Sequence, residues 1–141
     1  MKFQYWTTSG VLDTRGRIVK RPMLELEFVG KGGSKTNAIG LIDSGADTTM
    51  LNIQYADFLG VKLDEKNTRN ILGVGNGTVL VYVSTFRFKI RQMEDREIEV
   101  PAWYVDSNNV DILLGQEAFF EMFKIKFEKD HDTFEVTPVR K

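Results

Sequence analysis

The chain contains no cysteine and a single histidine, His131, in 141 residues. Those two scarcities exclude more chemistry than any other compositional fact. Thiol nucleophiles, thiolate-held zinc and haem-thiolate sites have no ligand to use. A Ser-His-Asp triad would have to recruit His131, which sits in the polar stretch "EKDHDTF" and reads as a solvated hairpin-turn residue between "KIKF" and "TFEVTPV". Catalysis is left mainly to carboxylates, lysines and hydroxyls. An excess of charge is missing as well. The 19 Lys and Arg are interspersed with 20 Asp and Glu for a net charge of −1, so nothing suggests a phosphate-binding face, and nucleic acid is not the expected partner. No apolar run approaches the length that spans a bilayer, and the opening "MKFQYWTTSGVLDTRG" lacks the apolar centre of a signal peptide. The default expectation is a soluble, cytoplasmic protein with no membrane contact.

What is present is a succession of short strands. The length fits one domain, residues 1–141, able to bury a core without disulfides or metal staples. In "MLELEF", Leu24, Leu26 and Phe28 alternate with Glu25 and Glu27, the period of a half-buried strand. "VGKGGSKTNA" supplies turn chemistry before a strand at Ile39 to Ile42. "TVLVYVSTFRFKI" suggests a strand pair, its later half setting Phe86, Phe88 and Ile90 against Arg87, Lys89 and Arg91. In "IEVPAWYV", Pro101 argues for an edge position or a bulge. "KIKFE" and "TFEVTPV" read as a terminal hairpin. Two short helices are expected. One is "NIQYADFLG", with Ile53, Ala56 and Leu59 facing a core and Gly60 as its stop; the other is "QEAFFEMF", with Phe119 and Phe123 one turn apart. The fold class is mostly β, a small barrel or sandwich carrying one or two short helices.

Within this pattern "AIGLIDSGADTTML" is anomalous: an apolar strand, Ile39 to Ile42, runs directly into Asp43. A carboxylate there is costly unless hydrogen bonds or function hold it. Asp, Ser and Gly are ordinary turn residues, and an Asx-turn is one reading. A divalent cation held by Asp43 and Asp47 is another, weakened because "DSGAD" lacks the further acidic positions of a calcium loop.

"LIDSGADTTML", followed later by "VDILLG" and a helix in "LLGQEAFFEMFKIKF", resembles the retropepsin-like aspartic proteases, the family of the retroviral proteases and their prokaryotic relatives. The resemblance runs from about "RPMLELEF" to "KIKFE". It implies a closed β-barrel, the half-fold of an acid protease, and an endopeptidase acting on peptide or protein substrates with no metal or organic cofactor. Asp43, Ser44 and Gly45 would form the catalytic loop, and Ala46, Asp47 and Thr48 would contact substrate. Leu113, Leu114 and Gly115 would pass beneath the loop and support it. Gly73, Val74, Gly75, Asn76 and Gly77 would form the flap over the substrate. A dinucleotide loop is excluded at those glycines because the β-branched "TVLVYV" follows where a helix is required, and Asn76-Gly77 suits a hairpin turn.

The chemistry accounts for the motif independently. Carboxylate-driven peptide hydrolysis uses two acids sharing a proton, one deprotonating water while the other serves the carbonyl oxygen. This chain has one such motif. "LDTRG", at Leu12 to Gly16, carries Arg15 where the glycine should be, and no apolar strand feeds it. A catalytic form would therefore be a homodimer with Asp43 of each subunit at a twofold axis. Two features depart from the retroviral pattern: Gln116 stands where an arginine usually pairs with the residue matching Asp47, and the ends are longer than the short terminal strands that retroviral dimers interleave. A catalytically silent module for peptide binding or dimerisation is the competing expectation.

Overall fold

A computed structural model describes residues 1–72, 77–93 and 96–140. Their strands are β1 (Lys2–Gln4), β2 (Trp6–Leu12), β3 (Ile18–Arg21), β4 (Met23–Val29), β5 (Lys35–Ile42) and β6 (Thr49–Asn52), then β7 (Thr68–Leu72), β8 (Thr78–Ile90), β9 (Ile98–Val105), β10 (Ile112–Leu114), β11 (Phe123–Glu128) and β12 (Thr133–Pro138). Helix α1 (Gln54–Leu59) follows β6, and α2 (Phe119–Met122) precedes β11.

Alternation places the barrel's lining. Leu24, Leu26 and Phe28 of β4 are all but inaccessible, while the glutamates between them point outward. Six strands run β4-β5-β10-β6-β9-β8 and close on themselves where β8 returns to β4, pairing Leu26 with Ile90 and Glu27 with Lys89. Closure removes the exposed sheet edges that a sandwich would keep. Inside, Phe28 meets Phe86 at 5.5 Å between ring centroids, Phe86 stacks on Phe88 at 4.8 Å, and Phe119 joins Phe88 to Phe123 at the barrel end. Each such side chain contributes roughly 1.5–3 kcal/mol on burial.

Several expectations change in detail. "TVLVYVSTFRFKI" is not two strands but one of 13 residues, β8, because nothing within it can turn the chain; its register against β9 runs unbroken from Val81–Val105 to Phe88–Ile98. Pro101 lies inside β9 and causes no bulge there. It is at an edge only locally, since β6 begins pairing at the next residue, Ala102. Thr85 stands opposite this proline, which has no N–H, and its carbonyl accepts instead from the Tyr104 hydroxyl at 2.8 Å. Burial also pushes the Tyr104 phenol pKa above its ordinary value. The strand before Asp43 begins earlier than Ile39, at Lys35, because Gly33 supplies the positive φ that completes the turn. Helix α1 ends as expected on Gly60 in the left-handed conformation. Helix α2 is only four residues, and Phe123 already belongs to β11.

The terminal hairpin β11–β12 is present, with His131 exposed in its 3-10 turn and facing Asp130 at 3.3 Å. Strand β1 pairs antiparallel with β12, Lys2 opposite Glu135, making a three-stranded sheet. Strands β2 and β3 pair only with one another among the described residues. No helix among the described residues is long and apolar enough to cross a membrane.

Candidate active site

Strand β5 delivers Asp43 through the barrel wall. Two hydrogen bonds fix its approach: Ile42 N–H donates to the Pro22 carbonyl at 2.9 Å, and Asp43 N–H to the Leu114 carbonyl at 3.0 Å. The chain then turns. Gly45 N–H donates to Asp43 Oδ1 at 2.9 Å, and Ala46 N–H to the Asp43 carbonyl at 3.2 Å. Asp43 is thus an Asx-turn in its local geometry, but the turn consumes only one carboxylate oxygen. No donor among the described residues reaches Oδ2 or the exposed Ser44 hydroxyl.

Strand β10 lies beneath this turn, parallel to β5 and antiparallel to β6, with Leu114 beside Ile42 and Leu113 beside both Leu41 and Met50. Gly115 ends it. A Cβ at Gly115 would lie 2.6 Å from the Thr48 carbonyl carbon and oxygen and 2.8 Å from the Ala46 oxygen, so only glycine fits against this loop. The seam is stitched on both sides. Gly115 N–H donates to the buried Thr49 Oγ1 at 3.2 Å, Gln116 N–H to the Ala46 carbonyl at 2.8 Å, and Glu117 N–H to the Asp47 carbonyl at 2.8 Å.

Gln116 has a specific part here. Its Nε2 donates to the Ser44 carbonyl at 2.7 Å, so the side chain that replaces the expected arginine holds the turn directly and leaves Asp47 aside. Asp47 is exposed, and nothing among the described residues donates to its carboxylate. Ala46 and Thr48 are buried. Of these three expected substrate contacts, only Asp47 presents its side chain to solvent.

The register shows a surface that sequence reasoning missed. Met23 stands beside Leu41, Leu41 beside Leu113, Leu113 beside Met50, Met50 beside Trp103, and Trp103 beside Val83. This row crosses the outer face of six strands next to Asp43, and every member is half-buried. A signal was available. Leu41-Ile42, Met50-Leu51, Trp103-Tyr104 and Leu113-Leu114 are apolar doublets that break period-two alternation, as strands covered on both faces do.

The hairpin β7–β8 ends with Leu72 opposite Thr78. Gly73, Val74, Gly75 and Asn76 fall outside the described residues, and Gly77 is exposed with open space where a Cβ would stand. No group of three or more Asp, Glu or His side chains that could hold a metal occurs among the described residues.

Comparison with known proteins agrees with this architecture. The crystal structure of a retropepsin-like aspartic protease from Rickettsia conorii superposes with a TM-score of 0.58 at 20% identity, covering 95% of this chain and 97% of that one. The retroviral protease-like domain of Ddi1 from Leishmania major gives 0.57 at 13% identity, covering 86% and 96%. No curated protein sequence matches. The family described as "gag-polyprotein putative aspartyl protease" matches residues 33–121, from the turn before β5 through the Asp43 loop and the Gly115 seam into α2. The chain belongs to this family of retropepsin-like aspartic proteases.

Proposed function

We propose that this single-domain chain is an aspartic endopeptidase that works as a homodimer, with Asp43 of each subunit forming the catalytic pair. The observation that carries this reading is the half-used carboxylate: Asp43 Oδ1 is held by Gly45 N–H, while no donor among the described residues reaches Oδ2, at the head of a loop that cannot shift without breaking the Gly115 seam. Two carboxylates brought to about 3 Å share one proton. One deprotonates the attacking water while the other donates to the carbonyl oxygen, so both bonds of the reaction are served without a metal or organic cofactor. Ser44 would hydrogen-bond across the axis to the opposite loop. The row from Met23 to Val83 offers apolar pockets for the side chains of an extended peptide, and Asp47 offers an acceptor to its backbone. Ala46 and Thr48, being buried, would act through their backbone, and the residues 73–77 of the β7–β8 hairpin would close over the substrate.

Digestion of a proteome-derived peptide library with the wild type beside Asp43→Asn tests the assignment. Cleavages present with the wild type and missing with the variant are the expected result; equal cleavage by both refutes it. One observation favours a silent binding or dimerisation module instead. Strand β1 is already paired along one edge to β12 of its own chain, where retroviral dimers interleave their terminal strands. A folded wild type that binds peptides without cutting them would establish that reading.

A further inference from the structure

The segment from Trp6 to Arg21 departs from the rest of the molecule. It is a two-stranded hairpin with no third strand among the described residues, and an isolated hairpin is marginal in water. Yet its turn is tightly built. Asp13 Oδ1 accepts from Arg15 N–H at 2.8 Å and Arg17 N–H at 3.0 Å, and Asp13 N–H donates to the Arg17 carbonyl at 2.8 Å. At the far end Leu12 and Ile18 stand side by side, 62% and 52% exposed, and at the root Trp6 is 39% exposed. This is a preformed element presenting apolar side chains to solvent, which soluble surfaces normally avoid.

Charge and position say what covers it. The hairpin carries Arg15, Arg17, Lys20 and Arg21 against Asp13, a net +3, which leaves the remainder of a chain of total −1 at −4. Lys20 faces Asp132 of its own chain at 3.5 Å, which leaves Arg17 and Arg21 as cations for a second copy of the chain, whose remaining residues carry a net charge of opposite sign. The root is also close to the site: Arg21 precedes Pro22, whose carbonyl holds Ile42 N–H, and Ile42 precedes Asp43. Any twofold that brings two Asp43 loops together brings both hairpin roots to the same region. A β2 of seven residues then reaches about 23 Å, far enough to lie on the partner. Meanwhile one edge of β1 is paired to β12 of its own chain, which leaves the β2–β3 hairpin as the N-terminal element without a third strand among the described residues.

We infer that the β2–β3 hairpin is an intersubunit arm that seats on a second copy of this chain; this rests on the dimeric reading proposed above. The absence of cysteine makes a clean test possible, since Thr14→Cys at the exposed turn creates a unique attachment point for a benzophenone photocrosslinker. Mixed dimers of 14N- and 15N-labelled full-length chains are irradiated and the crosslinked peptides identified by mass. Crosslinks joining the two isotopes are expected. In parallel, sedimentation equilibrium of Leu12→Lys/Ile18→Lys should show a dimer dissociation constant raised at least tenfold, with circular dichroism unchanged. Crosslinks confined to one isotope, in a dimer that the double variant does not weaken, overturn the arm and leave the dimeric protease intact. A wild type that stays monomeric and cuts nothing overturns both. Capture of the photolabel only by phosphatidylserine vesicles overturns the arm in favour of a lipid surface.

Discussion

Asp13 and Asp43 each follow a strand and open a tight turn with a glycine close behind, but their surroundings differ. Asp13 accepts two backbone N–H bonds from Arg15 and Arg17, and the Arg15 guanidinium stands 3.7 Å from its Oδ2. Those hydrogen bonds, Arg17 first and then Arg15, hold its carboxyl below the usual aspartate range. Both hydrogen bonds fall on Oδ1 and close the turn. Asp43 accepts one backbone N–H, while its loop is anchored from below by β10, Gly115 and Gln116. Asp13 takes both hydrogen bonds on one oxygen and has an exposed guanidinium beside the other, whereas Asp43 takes one hydrogen bond, on an anchored loop, with no cation among the described residues beside its second oxygen.

The comparison breaks most directly by mutation of the two aspartates in parallel. Asp43→Asn should lower peptide cleavage by at least about 10²- to 10⁴-fold, the range expected when an acid–base group is lost, with the circular dichroism spectrum retained. Asp13→Asn should leave the rate within about twofold, as for an ordinary surface substitution. Comparable losses in both would mean that the free oxygen of Asp43 is not what distinguishes it.

Gly115→Ala tests whether the seam is what fixes Asp43. Its Cβ would meet backbone at 2.6 Å, which no side-chain rotation can relieve, so urea denaturation should show a loss of about 1–3 kcal/mol together with reduced cleavage. An unchanged midpoint and rate would show the loop to be more pliant than described. Gln116→Leu is milder. Removing the donor to the Ser44 carbonyl should cost about 0.5–1.5 kcal/mol, and kcat should fall more than KM rises if the bond orients the loop. A change confined to KM would place Gln116 in substrate binding instead.

The smallest effect concerns acid. A carboxyl with a depressed folded pKa contributes stability that is present above its unfolded value and is lost as pH falls through the lower folded one. Asp13, and Asp132 held down mainly by its hydrogen bond from Lys129, both have this sign. Thermal melts of Asp13→Asn should accordingly lose less midpoint between the ordinary aspartate range and stronger acid than the wild type does. A parallel acid limb in the two proteins would remove the contrast between the turns.

Much of the site was legible from local pattern. Alternation in "MLELEF" placed the lining of β4, Gly60 stopped α1, and the apolar approach to Asp43 followed by Ser44 and Gly45 marked the loop. These are decided by neighbours in the chain, where steric and hydrogen-bonding rules act over a few residues. Local pattern failed where a strand's role depends on its partners. Strands β1, β2, β3, β6 and β10 were not foreseen as strands, and β7 only as the unplaced first arm of a hairpin turning near Asn76-Gly77: several are short, and β3 and β7 have too little apolar alternation to be recognised alone. "TVLVYVSTFRFKI" looked like two strands because the phase of its buried residues changes between Val81 and Phe86, yet the backbone continues straight.

By itself, then, the sequence determined the β character, the exclusion of thiol chemistry, and the single Asp-Ser-Gly loop proposed to carry the reaction. The tertiary structure decided that six strands close into a barrel, that Gln116 binds Ser44 rather than Asp47, and that six residues from six strands line up beside Asp43. It also decided that β1 pairs with β12 of its own chain while the next hairpin has no third strand among the described residues. The reason is register. Which residue stands beside which across a sheet is set by pairings between distant strands, and a shift of one residue would turn each of those side chains to the opposite face.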